Sequence, residues 1–164
     1  MVEIKFKKLV EHAIIPSQAN EGDAGWDIRA IKKTVLKPHG VVKVPTGIAV
    51  QIPNGYELQV RGKSGLALNE GMSIAQGIGT IDAGYRGEIC VLVKNIKPFM
   101  KVIEQGEMVG QLVLSKVLDV TWKEVKTLDD SERGEKGFGS TKDAEKTETK
   151  KKTTEQVSTE DKKE

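Results

Sequence analysis

The run VVKVPTGIAVQIPNGYELQVR, Val41 to Arg61, decides the class of fold. Its apolar residues come at alternate positions or in short β-branched blocks, so Val41–Val44, Gly47–Ile52 and Tyr56–Arg61 read as three strands. Pro53-Asn54-Gly55 between the last two is a hairpin signal, because Asn-Gly tolerates positive φ at both turn positions. The same pattern continues outward. Val2, Ile4 and Phe6 alternate with charges and share one face, and Glu88–Lys94, Gln111–Leu114 and Val120–Val125 add further strands. Turn residues recur about every eight to twelve positions, the spacing of a sandwich or barrel. No long stretch keeps helical spacing. One short helix is expected from Ser64 to Leu68, with Ser64 as its cap and Asn69-Glu70-Gly71 as its stop. The fold class is all-β.

With 164 residues the chain is one domain's worth, long enough to bury a core. A net charge of +2 gives no strong attraction to nucleic acid or membranes. The single cysteine, Cys90, excludes an intramolecular disulfide framework and fits a reducing compartment. No apolar run approaches the roughly 20 residues of a membrane helix. The start, Met1 to Lys7, reads as a strand rather than a signal peptide. A soluble cytoplasmic protein is the expectation. After Thr141 the composition changes: residues 142–164 hold seven lysines and seven acids, with Ala144 and Val157 as the only aliphatic residues. Such a segment buries too little apolar surface to offset its conformational entropy and is expected to be disordered.

Five stretches can carry chemistry. Asp23-Ala24-Gly25-Trp26-Asp27-Ile28-Arg29-Ala30 sets two acids around an Ala-Gly pair; structurally it reads as a strand bulged at Gly25. Arg61-Gly62-Lys63-Ser64-Gly65-Leu66-Ala67 places two cations and a hydroxyl at a helix start, where free N–H groups favour an anion. Gly79-Thr80-Ile81-Asp82-Ala83-Gly84-Tyr85-Arg86-Gly87-Glu88-Ile89 holds a carboxylate and an aromatic ring three residues apart in a glycine-punctuated turn. By itself it is equally an ordinary β-hairpin. Gly106 to Leu112 is a turn entering a strand, with Gln111 as its notable polar side chain. Arg133-Gly134-Glu135-Lys136-Gly137-Phe138-Gly139-Ser140-Thr141 has the three glycines, two cations and hydroxyl pair of a phosphate cradle. It lacks the Walker order, and Phe138 between glycines could lie flat on a nucleobase.

In this order the five stretches resemble the five motifs of the homotrimeric dUTP pyrophosphatase (dUTPase) family, over roughly residues 20 to 141. The resemblance implies a distorted jelly-roll (β-clip) subunit of a homotrimer, with each active site assembled from three subunits. It divides the chain into a β domain, residues 1–132, a mobile lid, 133–141, and the charged tail, 142–164. It also implies hydrolysis of dUTP to dUMP and pyrophosphate. Asp82 would hold and activate the water that attacks the α-phosphorus. Tyr85 would pack on the deoxyribose so that a ribose 2′-hydroxyl clashes. Backbone from Gln76 through Thr80 to Ile81 would bind uracil in a hairpin. Lys63, Ser64 and Gly65 would hold phosphates, assisted by Gln111. Arg133, Gly139, Ser140 and Thr141 would close on the γ-phosphate while Phe138 stacks on the base.

Isolated His12 and His39 and the lack of a tight cluster of acids favour Mg²⁺ arriving on the triphosphate; the resemblance implies that Asp27 contacts it through water only. Lys63 stands where the family usually has arginine, keeping charge but losing the bidentate fork. Gly62 replaces a common proline, Gln76 an asparagine frequent in bacterial members, and Lys136 a usual glycine. Met108-Val109-Gly110 is a loose version of the fourth motif. Two alternatives remain at this point: a dCTP deaminase of the same fold, and a non-catalytic nucleotide-binding β trimer.

Overall fold

Alternation along the sequence becomes alternation of burial. In the strand Glu88–Asn95, residues 89, 91, 93 and 95 are buried and those between them are more open. A computed structural model describes residues 2–137. Its chain divides into two units, residues 1–120 and the segment from Thr121 onward.

The first unit carries ten strands: β1 Lys5–Lys8, β2 Gly25–Arg29, β3 Thr34–Leu36, β4 Val41–Gln51, β5 Tyr56–Arg61, β6 Met72–Ile74, β7 Gly79–Ile81, β8 Glu88–Asn95, β9 Lys101–Ile103 and β10 Met108–Lys116. They form two four-stranded antiparallel sheets, ordered β1-β4-β8-β6 and β2-β10-β5-β7, and a β3-β9 pair. Both four-stranded sheets feed one core. Val44, Ile48, Val91 and Val93 enter it from the first, and Ile28, Leu58, Val60 and Leu112 from the second. Each such side chain contributes about 1.5–3 kcal/mol relative to exposure, which makes the all-β expectation energetically self-consistent.

The tight turns behave differently from the sequence reading. Asn54-Gly55, with Gly55 at φ 81°, does reverse the chain between β4 and β5, yet these strands lie in different sheets. The Gln76–Ile81 stretch is likewise no hairpin: β6 pairs with β8, and β7 with β5. The turn after Ile81 also carries the chain from one sheet to the other. A turn sequence dictates local reversal, but inward-facing apolar residues choose the partner strand.

Val41–Val44 and Gly47–Ile52 are one strand, not two. Its register with β8 shifts between Pro45 and Ala49, the mark of a bulge. Thr46 Oγ1 donates to Ile89 O at 2.6 Å, and the Gly47 N–H donates to Glu88 Oε1 at 2.7 Å. Gly47 has φ 69°, and a Cβ there would lie 2.8 Å from Ile31 and 2.9 Å from Ala13, so only glycine fits.

The expected helix is also altered. The chain starts to coil at Ser64 but widens into a π-helical turn over Leu66–Glu70. Gly65 takes the cap position without a side-chain cap bond, so Ser64 is not the cap. Gly71, at φ 66°, does end the turn by donating its N–H to Leu66 O. No strand forms over Val120–Val125, whose apolar residues are exposed. Val2, Ile4 and Phe6 do share a side. With Trp26, Leu112 and Leu114 they line an open groove of about 310 Å³. Among the described residues no helix is long and apolar enough to cross a membrane.

Candidate active site

Three of the five stretches meet where β2, β10 and β5 run side by side. Gln111 lies opposite Asp27 on one flank and opposite Arg61 on the other. Asp27 is a buried carboxylate, and the Lys63 ammonium, 36 residues later, reaches it at 2.5 Å. A near-buried acid needs such a partner. One of the three ammonium donors is thereby engaged and two remain for another anion. Gln111 Nε2 donates to Gly62 O at 2.9 Å. The rest of that amide occupies the space a Cβ on Gly25 would need. Gly25 is therefore the clearance for Gln111 and not a bulge: it pairs regularly with Val113, and the register shift in this ladder falls between Met108 and Gly110. Ser64 and Gly65 are exposed beside this cluster in the chain.

The turn after Lys63 is anchored from β9. Lys101 Nζ lies 2.5 Å from Glu70 Oε2 and 3.7 Å from Glu107 Oε1. The hydrogen bond that Lys101 donates to Glu70 holds the Glu70 carboxyl below its usual range and the Lys101 ammonium above its own. No spacing in the sequence announced this pair.

Asp82 and Tyr85 belong to another place. With Thr80, Lys43, Glu88 and Cys90 they line a cavity of about 300 Å³. Asp82 is exposed, and its carbonyl accepts from the Tyr85 N–H at 3.0 Å. The Tyr85 hydroxyl donates to Glu88 O at 3.0 Å. Arg86 Nη1 donates to Ala83 O at 2.6 Å and Tyr85 O at 2.8 Å, satisfying carbonyls of the turn. In β7 Gly79 and Ile81 are buried while Thr80 faces out. The Gln76 amide lies over Gly79, where a Cβ would come within 2.8 Å of Nε2. Burial, and then the Glu88 carboxylate, push the Cys90 thiol up, so it stays protonated at neutral pH. Lys43 and Cys90 were not singled out by sequence, since an outward position on a strand carries no signal of what it faces.

Within one chain these two places do not converge. Gly79, Thr80 and Ile81 pair with Val60, Gln59 and Leu58. The chain thus leaves β7 at Asp82 toward the Glu57 end of β5, while Lys63 follows the Arg61 end. Four strand residues separate those levels, about 13 Å along the strand. In the second unit, Arg133 Nε donates to Lys136 O at 2.9 Å, and the Gly134 N–H donates to Ser131 O at 3.0 Å and Ser131 Oγ at 3.1 Å. Phe138, Gly139, Ser140 and Thr141 lie outside the described residues, as does the tail 142–164. Among the described residues no three of His, Cys, Asp and Glu gather as metal ligands.

A dUTPase family model matches residues 11–142. The chain is 43% identical over 142 residues to deoxyuridine 5'-triphosphate nucleotidohydrolase of Zymomonas mobilis, covering 85% of this chain and 97% of that protein. It is 44% identical over 144 residues to the same-named protein of Fusobacterium nucleatum, covering 86% and 99%. Among solved structures it resembles a dUTPase mutant of Staphylococcus bacteriophage 80alpha with dUpNHpp, at TM-score 0.78 and 30% identity, covering 85% and 98%. It also resembles a mutant dUTPase of phage phi11 of S. aureus, a structure concerned with coordination of a structural Mg(II) ion, at TM-score 0.71 and 25% identity, covering 76% and 97%. The chain belongs to the dUTPase family.

Proposed function

We propose that this chain hydrolyses dUTP to dUMP and pyrophosphate, with Asp82 positioning the attacking water. The observation that carries the reading is a solvent-facing carboxylate, Asp82, beside the Tyr85 ring over a cavity of about 300 Å³, in a chain of this family. The water oxygen bonds to the α-phosphorus as the bond from that phosphorus to its bridging oxygen breaks. The water proton passes to Asp82, and pyrophosphate leaves. General-base help of this kind contributes about 10²–10⁴-fold. Tyr85 would pack against the deoxyribose and leave no room for a 2′-hydroxyl. Backbone from Gln76 to Ile81 would take the uracil edge. Lys63, Ser64, Gly65 and Gln111 would take phosphates, and Arg133 to Thr141 would close over them.

The donor set fits a magnesium ion carried by the triphosphate better than one caged by protein. Asp27 is one buried carboxylate already bonded to Lys63, which suits contact through a water. Bound Mg²⁺ would neutralise triphosphate charge. The Mg(II) named for the phi11 relative supports a metal in this family.

Asp82 and Lys63 sit at opposite ends of β5, which supports a site completed by other copies, as in a homotrimer. The apolar groove along Val2, Ile4, Phe6 and Trp26 supports assembly as well. A solution molar mass three times that of the chain checks this. The reaction itself is tested by supplying dUTP or dCTP with Mg²⁺ and measuring pyrophosphate and ammonia. Pyrophosphate from dUTP is expected; ammonia from dCTP would mean a deaminase, and neither product a binding module. A cytoplasmic site of action fits the single free cysteine, Cys90.

A further inference from the structure

Two glycines frame Tyr85, and their surroundings differ completely. A Cβ built on Gly84 meets nothing within 4 Å. A Cβ built on Gly87 runs into the Tyr85 ring: the hydroxyl is nearest, then Cζ at 2.6 Å and Cε2 at 3.0 Å. The ring therefore lies across the bare backbone of Gly87. Its far end is fixed, because the hydroxyl donates to Glu88 O at 3.0 Å. Glu88 is fixed in turn, since its carboxylate accepts from Gly47 N in the β4 bulge at 2.7 Å, beside the 2.6 Å bond from Thr46 Oγ1 to Ile89 O. Tyr85 is nonetheless 46% exposed, so the Gly87 seat and the bond to Glu88 O carry much of the ring's placement.

We propose that Gly87 is a specificity-positioning residue: its missing side chain is the seat that fixes the Tyr85 ring, and the ring so fixed discriminates deoxyribose from ribose. This rests on the reading that Tyr85 tests the sugar. The physics separates specificity from stability. A methyl at Gly87 cannot coexist with the ring in this position. The half-exposed ring can swing toward solvent without opening the core, since Tyr85 is not among the side chains packed against the buried cluster. The displaced ring leaves room for a 2′-hydroxyl and loses its bond to Glu88 O. Both changes lower discrimination more than they lower turnover of dUTP, because hydrolysis is assigned to Asp82 and not to the ring.

The test compares pyrophosphate release from dUTP and from UTP in the wild type, Gly87→Ala, Gly84→Ala, Tyr85→Phe and the Gly87→Ala/Tyr85→Phe double variant. Gly87→Ala should keep its fold by circular dichroism and lose about tenfold in the dUTP-over-UTP ratio of kcat/KM, chiefly through UTP. Tyr85→Phe, which removes only the anchor, should lose less, about threefold. The double variant should be no worse than Gly87→Ala, since the anchor is already gone. In the wild type, NMR should show cross-relaxation between the Tyr85 ring and the Gly87 α-protons. Gly87→Ala with full selectivity, Gly84→Ala with an equal loss, multiplying losses in the double variant, or absent cross-relaxation would each overturn the proposal. A wild type that releases no pyrophosphate from dUTP would instead sink the functional reading, and the cross-relaxation would still report whether the seat exists.

Discussion

At the end of β5 the Lys63 ammonium already has a partner, Asp27 on β2, at 2.5 Å and largely out of water. At the end of β7, in the same sheet, the Asp82 carboxylate faces solvent and has no side-chain hydrogen bond among the described residues. An anion arriving at Lys63 must share an ammonium that is already committed, whereas a water arriving at Asp82 meets an acceptor with nothing to displace. The first place is thus held together by its own charges, and the second leaves its carboxylate open to solvent.

The contrast can be broken most sharply at Asp82. Asp82→Asn should lower turnover of dUTP by about 10²–10⁴-fold while leaving the melting temperature and nucleotide affinity nearly unchanged. Full activity in a steady-state pyrophosphate assay would remove Asp82 as the base. The next largest effect is expected from truncation. Removing residues 133–164 should abolish efficient turnover, and removing only 142–164 should leave the rate intact; equal losses would give the charged tail a role. At the other place the cost should appear in folding. Asp27→Asn should lower the urea-unfolding free energy by about 2 kcal/mol, because the Lys63 ammonium is left without its charged partner in a half-buried setting. Lys63→Arg should restore a forked grip and tighten nucleotide binding, seen as a lower Kd by calorimetry.

The smallest effect concerns pH. Glu70 titrates below its usual range when folded, so its share of stability is present above that range and fades as pH falls through the lowered value. Lys101 titrates above its usual range, so its share holds through neutrality and fades as pH rises past the ordinary lysine value. Glu70→Gln should therefore weaken the pH dependence of the melting temperature at both extremes and leave the neutral plateau slightly lower.

Much of this was legible because burial follows period. Tyr56–Arg61 is a strand residue for residue, and Glu88–Lys94 extends by only one. The misreadings share a cause: local sequence does not encode the partner. Asn54-Gly55 turns the chain as expected but joins two sheets, because β4 finds β1 and β8, and β5 finds β10 and β7. Val120–Val125 alternates like a strand but has no strand partner among the described residues. The types and order of the five stretches pointed to the family, and the proposed roles of Asp82 and Tyr85 rest on it. The ion pair of Asp27 with Lys63 and the clearance of Gly25 for Gln111 were hidden, since each depends on β10 being threaded between β2 and β5.

That threading has a kinetic consequence. No strand in either sheet is bonded to the strand next to it in sequence. The shortest-range ladder contacts, Ile74 with Val93 and Val60 with Gly79, already span 19 residues, and the β4–β8 ladder closes wider loops still. Nothing can zip from a hairpin, so loop-closure entropy must be met before the core rewards it. Refolding from urea is expected on the millisecond-to-second scale, with a transition state already close to native in buried surface.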